Sequence, residues 1–579
     1  MLDTKYSPWW QRGAIALFIV IPFLAFGRSL LQGFAPIDDA YLIAGNLAVR
    51  GPTLEHLKAA FTTFDPELYI PVTLLSFQMN YLISGLEPWS YHLTNIMLHG
   101  LNAVLIFFVL KKLTQAPRAS LFAATLFAIH PLNTEAVVWI AARKDLLSTF
   151  FALISILAYL KRTTGGWILS FVFFLMALLA KVSVAPLPIA LLLMDRLEGK
   201  TWNMKLLGKM VPFLLLSCVF IVVGFLGKER IVQTSHLSET FLLIPRATFF
   251  LLGKFLLPGN MSPLYEVSDP ITIANPAIFV PILALIAFLV LSIFAAQPQG
   301  DASLLRDLGL SSLIFLALLS PSFLSFRKAG TVFLTSDRYA YLPQLGLLCA
   351  IVFAIARIDR RLHIAKQFIA GTSAFLIALL CILSIRQTAF WNSADALFIH
   401  ALSVAPRSVA ARTALTQTLL TEERPQDAFA ILKEGLKQGD DPRLHIMAGK
   451  IYAHVGQVPD AIAEFEKSQK LDPSNAEASF SIGSVLEQTG QTAEALTHYR
   501  EAMALDSSDV PSLIGIGRIL RTQGDLAGAE QAFRQALTWN PNAKEAHQGL
   551  APILAKTGRV DEAEIHVRLA NELSLVKLQ

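Results

Sequence analysis

Residues 456–499 read GQVPDAIAEFEKSQKLDPSNAEASFSIGSVLEQTGQTAEALTHY, and within them Gly456 returns as Gly490, Ala461 as Ala495 and Phe465 as Tyr499, each 34 residues on. The same step carries the glycine series to Gly524 and Gly558, the alanine series to Ala529 and Ala563, and the aromatic series to Phe533. Gly449, Gly483 and Gly517 run seven positions ahead of the first series, and Pro473 and Pro541 punctuate repeat ends. Several positions repeating in phase predict one helical hairpin per period, with small residues where two helices cross and an aromatic side chain in the second helix.

This pattern resembles the tetratricopeptide repeat, with four copies over about 442–576 and a degenerate one over about 408–441. A single hairpin of this kind cannot bury its own apolar face, so neighbours stack into a superhelix with a concave groove suited to peptide segments. Two readings of the groove stand side by side: recruitment of a substrate, and assembly with a partner.

The rest of the chain has a different composition. The 579 residues are 54% hydrophobic and 16% charged, with a mean hydropathy of +0.52; soluble domains are about a quarter charged. Residues 1–400 carry a net charge of +10, whereas residues 401–579 carry −5. Disordered, collagenous and small disulfide-stapled classes are excluded, and two solvents are implied: lipid for the first part and water for the tail. Cys218, Cys349 and Cys381 all fall in apolar runs and predict no metal site. The domains expected are a membrane domain over 1–390, with an outer loop at 35–91, and a repeat domain over 391–579.

Apolar stretches long enough to be considered as membrane spans run over 13–34, 92–113, 119–137, 145–161, 166–181, 183–195, 210–227, 275–296, 308–325, 339–357 and 366–386. Eleven spans are therefore expected, with the pair around Lys181–Val184 read as half-helices or one kinked element. The first run lacks a small-residue cleavage site and reads as a span rather than a cleaved signal. Short loops rich in Lys and Arg stay cytoplasmic. Lys5 and Arg12, Lys111, Lys112 and Arg118, Lys161 and Arg162, Arg196 to Lys209, Arg306, and Arg357 to Lys366 fall on one side if 240–257 is interfacial or re-entrant. An odd number of crossings then puts the repeats outside, with a bacterial inner membrane and periplasmic repeats expected, or the endoplasmic reticulum membrane in a eukaryote.

Ionisable residues beside membrane spans are costly and so are functional candidates. In this topology they gather on the outer side. Asp38 and Asp39 follow the first span, and either could act as a general base toward a hydroxyl nucleophile. The second outer loop runs from His130-Pro131 through Glu135 to Arg143-Lys144-Asp145, and a later one reads Ser336-Asp337-Arg338-Tyr339. Lys181 stands at an outer helix end, Tyr69 lies in the long first outer loop, and Tyr91, His92, Asn95 and His99 line the outer half of the second span.

Residues 69–113 (YIPVTLLSFQMNYLISGLEPWSYHLTNIMLHGLNAVLIFFVLKKL), the 130–145 and 336–343 segments, and Asp38-Asp39 are similar to the TMTC proteins, transmembrane and tetratricopeptide-repeat-containing O-mannosyltransferases, and to their bacterial relatives. The resemblance covers nearly the whole chain. It implies an all-α, GT-C-type polytopic domain followed by a tetratricopeptide-repeat superhelix, and an enzyme that takes a sugar from a polyprenyl-phosphate carrier on the non-cytoplasmic face. Mannose, a protein Ser/Thr acceptor presented by the repeat groove, and the bilayer as partner follow from the same likeness; nucleic acid does not. Carried onto this sequence, the acidic motif falls on Asp38 and Asp39 as catalytic residues, with inversion at the anomeric carbon. Arg143, Lys144, Lys181 and Arg338 are candidates for neutralising the donor phosphate. Tyr69, His92, His130, Glu135, Asp337 and Tyr339 are secondary candidates. A divalent cation held between carboxylates and phosphate is a further option, with no ligand cluster demanding it. A lipid or glycan acceptor, and a membrane-anchored scaffold without catalysis, are the competing readings.

Overall fold

The computed structural model describes residues 9–64, 68–228, 237–295, 303–324, 326–328, 331–361 and 366–574. Lys5 lies outside them. Two compact units are formed, one holding the chain up to Leu42 and Ala48–Ser393, the other Ala394–Gln579 with the short Ile43–Leu47 stretch.

Among the described residues the first unit is mainly helical, with a two-stranded antiparallel ribbon, Arg327–Lys328 with Thr331–Val332, and a bridge between Glu266 and Phe333. Pro88–Thr114 is its long central helix, flanked by Trp9–Phe26, Pro117–Ile129 and Arg143–Tyr159. Small residues allow close crossings where lipid supplies no hydrophobic drive between helices. A Cβ on Gly346, in Gln344–Arg361, would fall 2.5 Å from the Phe315 backbone nitrogen in Ser303–Leu319.

Each of the eleven apolar stretches contributes a helix, yet among the described residues five helices are long and apolar enough to cross a bilayer, or six if one bent pair is a single span. These are Pro88–Thr114, Met204–Gly227, Pro276–Ala295, Leu304–Leu324 and Gly371–Asn392. Only 11% of the most apolar window of Pro276–Ala295 is buried within the protein, leaving Leu291 and Phe294 to face lipid.

Breaks explain the shortfall. The 119–137 stretch bends by 51° between Pro117–Ile129 and Pro131–Val138, because proline follows His130. The 13–34 stretch leaves its helix at Phe26, and the 339–357 stretch begins as a turn before Gln344. The pair around Lys181 resolves into two helices, Thr164–Ala180 and Leu187–Leu197, joined by the Val182–Val184 turn. The second has 11 residues and reaches about 16 Å, half of a bilayer core of ~30 Å. Residues 240–257 form one helix, Leu237–Leu256, which carries Glu239, Arg246 and Lys254 and falls outside the five.

The second unit opens with Ala394–Val404 and continues as five helical hairpins, from Val409–Thr421 with Pro425–Leu436 to Lys544–Lys556 with Val560–Ser574. The degenerate copy is a complete hairpin. Its turn uses Glu423 at φ 57° where the later copies use Gly456, Gly490, Gly524 and Gly558 at φ 78–85°. It is also one residue shorter, which takes its landmarks off the 34-residue step.

The co-repeating glycines and aromatics are one packing device. Phe533 lies between the first helix of its own hairpin and that of the next, so that a Cβ on Gly517 would meet its ring at 2.7 Å and one on Gly549 at 2.3 Å. Gly517→Val should therefore lower stability by about 1–3 kcal/mol. Hydrogen exchange on the full chain should show faster exchange across 510–556, and unchanged protection there would contradict the clamp.

Candidate active site

The segment from His130 to Asp145 carries polar and charged residues at both ends yet is buried throughout; every residue from Ala123 to Thr149 is buried. Buried polar groups need partners, and the partners here come from chain segments far apart in sequence. The segment is a hub to which the neighbouring turns are tied.

The acidic doublet supplies the first tie. Asp39 is fully buried, accepting the Ala35 amide at 2.8 Å on Oδ2 and the Ala141 amide at 2.7 Å on Oδ1. Its carboxylate thus joins the turn after the first helix to the hub. Burial lifts its pKa to about 7, an effect that the two amide donations only partly offset. Asp38, adjacent in the chain, is half-buried, and its charge acts on both Lys144 and Arg338.

Glu135 is the second tie. Its carboxylate accepts from the Ser336 hydroxyl at 2.6 Å, the Arg338 amide at 3.0 Å and the Arg338 guanidinium. Asp337, between them, turns away to accept from the Tyr265 hydroxyl at 2.9 and 3.1 Å. Burial, then the nearby Glu135, pushes Asp337 well above the ordinary carboxylate range, against the pull of Lys254 and Tyr265. Tyr265 itself arrives by extended pairing, its carbonyl accepting from the Leu334 amide. Asp145 is the third tie, bridged at 2.5 Å by Lys181 from the end of the next helix.

The four basic candidates are not equivalent. Arg143 is enclosed, donating to Asn95 Oδ1 at 2.8 Å, the Tyr91 carbonyl at 2.7 Å and Asn80 Oδ1, with its guanidinium 4.6 Å from the Phe77 ring centroid. Lys181 is held by Asp145 and Arg338 by Glu135. Lys144 is buried, yet among the described residues its ammonium has no protein hydrogen-bond acceptor; it stands 5.9 Å from the Trp139 ring centroid. Arg338 lies over the same ring at 4.5 Å, and Lys181 stands 5.5 Å from the Tyr339 ring.

The structure therefore brings together Asp38, Asp39, Glu135, Lys144, Asp145, Lys181, Asp337, Arg338 and Tyr339. Four candidates lie apart from these contacts, Arg143 in its enclosure of Asn95, Asn80 and Tyr91 among them. Tyr69 donates to the Phe61 carbonyl at 3.2 Å. His92 is buried with Nε2 3.4 Å from the Gly33 carbonyl. His130 stacks on Phe255, faces its carbonyl at 3.0 Å and accepts the Leu132 amide, closing the turn at the hub's start. Among the described residues no three His, Cys, Asp or Glu side chains gather as a metal-ligand set. Trp139, Ser336 and Tyr265 join the site without having been singled out from sequence.

A polytopic membrane domain with charged turns tied at one set of helix ends, in a chain that also carries a tetratricopeptide-repeat array, defines the class: an integral membrane protein with a repeat domain. Tetratricopeptide-repeat family models match residues 446–510 and 520–572. Across 79% of its length the chain is 26% identical to Protein O-mannosyl-transferase TMTC3 of Mus musculus, of which it covers 55%. It is 25% identical, again over 79%, to Protein O-mannosyl-transferase F38B6.6 of Caenorhabditis elegans, of which it covers 62%. The chain thus spans little more than half the length of these curated relatives, and its similarity to the TMTC group extends over most of its own length. Among solved structures, "Crystal structure of MamA" aligns at 23% identity over 28% of this chain and 94% of that one, with a TM-score of 0.24.

Replacing Asp39 by Asn leaves one acceptor for two buried amides, and an unsatisfied buried donor costs about 1–3 kcal/mol. Because the folded pKa is raised from the ordinary ~3.9, Asp39's contribution is full at acid pH and is lost as pH rises through about 7. The gap in melting temperature between the native chain and Asp39→Asn should therefore narrow from pH 5 to pH 8. A gap that does not change with pH would contradict the assignment.

Proposed function

We propose that this chain is a GT-C-type glycosyltransferase that moves a sugar, mannose by likeness to its relatives, from a polyprenyl-phosphate carrier to Ser or Thr hydroxyls of proteins, inverting the anomeric centre. The observation that supports it best is a half-buried carboxylate, Asp38, whose charge acts on a buried ammonium, Lys144, that has no protein hydrogen-bond acceptor among the described residues.

Asp38 acts as the base. It takes the proton of the acceptor hydroxyl as that oxygen bonds to the anomeric carbon, and the bond from that carbon to the phosphate oxygen breaks. General-base assistance of this kind contributes ~100–10,000-fold. The departing polyprenyl phosphate carries the electron pair and needs fixed positive charge in a water-poor place. Lys144 meets it directly, while Arg338 and Lys181, already held by Glu135 and Asp145, add their field. Asp39 and Arg143 are positioning residues, holding Asp38 and the hub in place. A carrier dissolved in the bilayer suits a reacting centre at the ends of membrane helices.

In this reading about eleven helical segments make up the membrane domain, several entering the bilayer only partway. The hub and the repeats are on the non-cytoplasmic side of a bacterial inner membrane. Basic side chains at the opposite helix ends support that orientation: Lys111 and Lys112 end the central helix, and Arg162 and Lys200 bridge the fully buried Asp195 at 2.7 and 3.2 Å. The repeat groove presents extended acceptor segments.

Transfer of labelled mannose from polyprenyl-phosphate mannose to an acceptor peptide tests the reading. Asp38→Asn should lower turnover by at least about 100-fold with the melting temperature unchanged, and Lys144→Gln should weaken donor binding. Native rates in both variants would contradict it.

A further inference from the structure

Trp391 follows the last membrane helix, in the Phe390–Asn392 turn, and its ring stacks on Trp139 with centroids 6.2 Å apart and planes 27° from parallel. Nothing in the local sequence joins these two residues, 252 positions apart. Both are nearly enclosed, Trp139 at 2% and Trp391 at 6% exposure, and both indole nitrogens are buried without a hydrogen-bond partner. The Nε nitrogen of Arg338, over the Trp139 ring, is in the same condition.

A Ser or Thr hydroxyl in that state can rotate toward an acceptor, but an indole N–H is fixed in the plane of its ring and only donates. Two such donors locked by stacking, each costly to leave unpaired, call for a ligand rich in neutral oxygen acceptors. The directions separate two kinds of acceptor. Arg338 and Lys144 lie over the face of Trp139, where an anion is favoured, whereas the indole N–H leaves along the ring edge. The Ala35–Asp39 turn, with Pro36 exposed and Asp38 half-buried, is fastened to the hub at Ala141, two residues from Trp139.

The geometry points to the Trp139–Trp391 pair as the sugar-recognition element of the site, the two indole N–H groups donating to hydroxyl oxygens of the glycosyl unit while its phosphate meets the cations over the ring face. This rests on the reading of the chain as a polyprenyl-phosphate-sugar glycosyltransferase. It adds that selection among sugars is made by a donor pair shared between the hub and the end of the last membrane helix.

Trp139→Phe and Trp391→Phe keep an aromatic ring for the stack and remove the N–H donor together with part of the ring area, so the comparison among deoxymannosyl donors carries the test. With polyprenyl-phosphate mannose as the probe, each should raise KM about tenfold with a smaller change in kcat, and the penalty should vanish for one of the deoxymannosyl donors. Binding of polyprenyl phosphate without a sugar should be unchanged in both variants. Thermal unfolding checks that the stack survives; should one variant fail to fold, the other carries the test. Native KM in a folded variant, or equal loss for mannosyl and all deoxymannosyl donors, would overturn the sugar assignment while leaving the enzyme reading intact. If the native chain binds no polyprenyl-phosphate sugar, the enzyme reading itself fails.

Discussion

A single carboxylate accepting two amides from different parts of the chain sets the geometry of the membrane unit's charged end. Asp39 has no access to water, so its oxygens must be satisfied within the protein, and Ala35 and Ala141 do so. Successive residues of the tight turn diverge, which leaves Asp38 half-buried beside Lys144 and Arg338. Glu135 and Asp145 repeat the device for two other turns. Each of these carboxylates thus ties its turn to a segment far away in the chain.

The repeat domain was legible because its packing is periodic. Wherever an aromatic ring wedges between two helices, a glycine must stand opposite it, so the two recur together and show in the sequence. The first hairpin hid for the converse reason: a 33-residue step and Glu423 in the left-handed turn position erased its landmarks without changing its fold. In the membrane unit the positions of the helices could be read from hydropathy, but their lengths could not. The break at His130 comes with the proline that follows it, whereas the turn after Phe26 is held by contacts from distant segments such as Gln32 to the Thr388 carbonyl, so a run of apolar residues did not translate into a run of helix.

Of the site, the ionisable residues were visible and their division of labour was not. The adjacency of Asp38 and Asp39 shows two acids, and only long-range hydrogen bonds distinguish the buried brace from the half-exposed base candidate. Arg143 and Lys144 look alike in the chain, yet one is enclosed by Asn95, Asn80 and Tyr91 while the other keeps its charge for something else. Tyr265 and Trp391 reach the cluster through an extended pairing and through the end of a distant helix, and no local pattern announces either.

The turn bearing Asp38 and the 130–145 hub form one cooperative structure through Asp39. Hydrogen exchange read by mass spectrometry on peptides covering 33–42 and 139–146, comparing the native full chain with Asp39→Ser, tests this most directly. Both peptides should lose protection together, with the repeat domain unaffected. Faster exchange confined to 33–42, with Ala141 as protected as before, would contradict it.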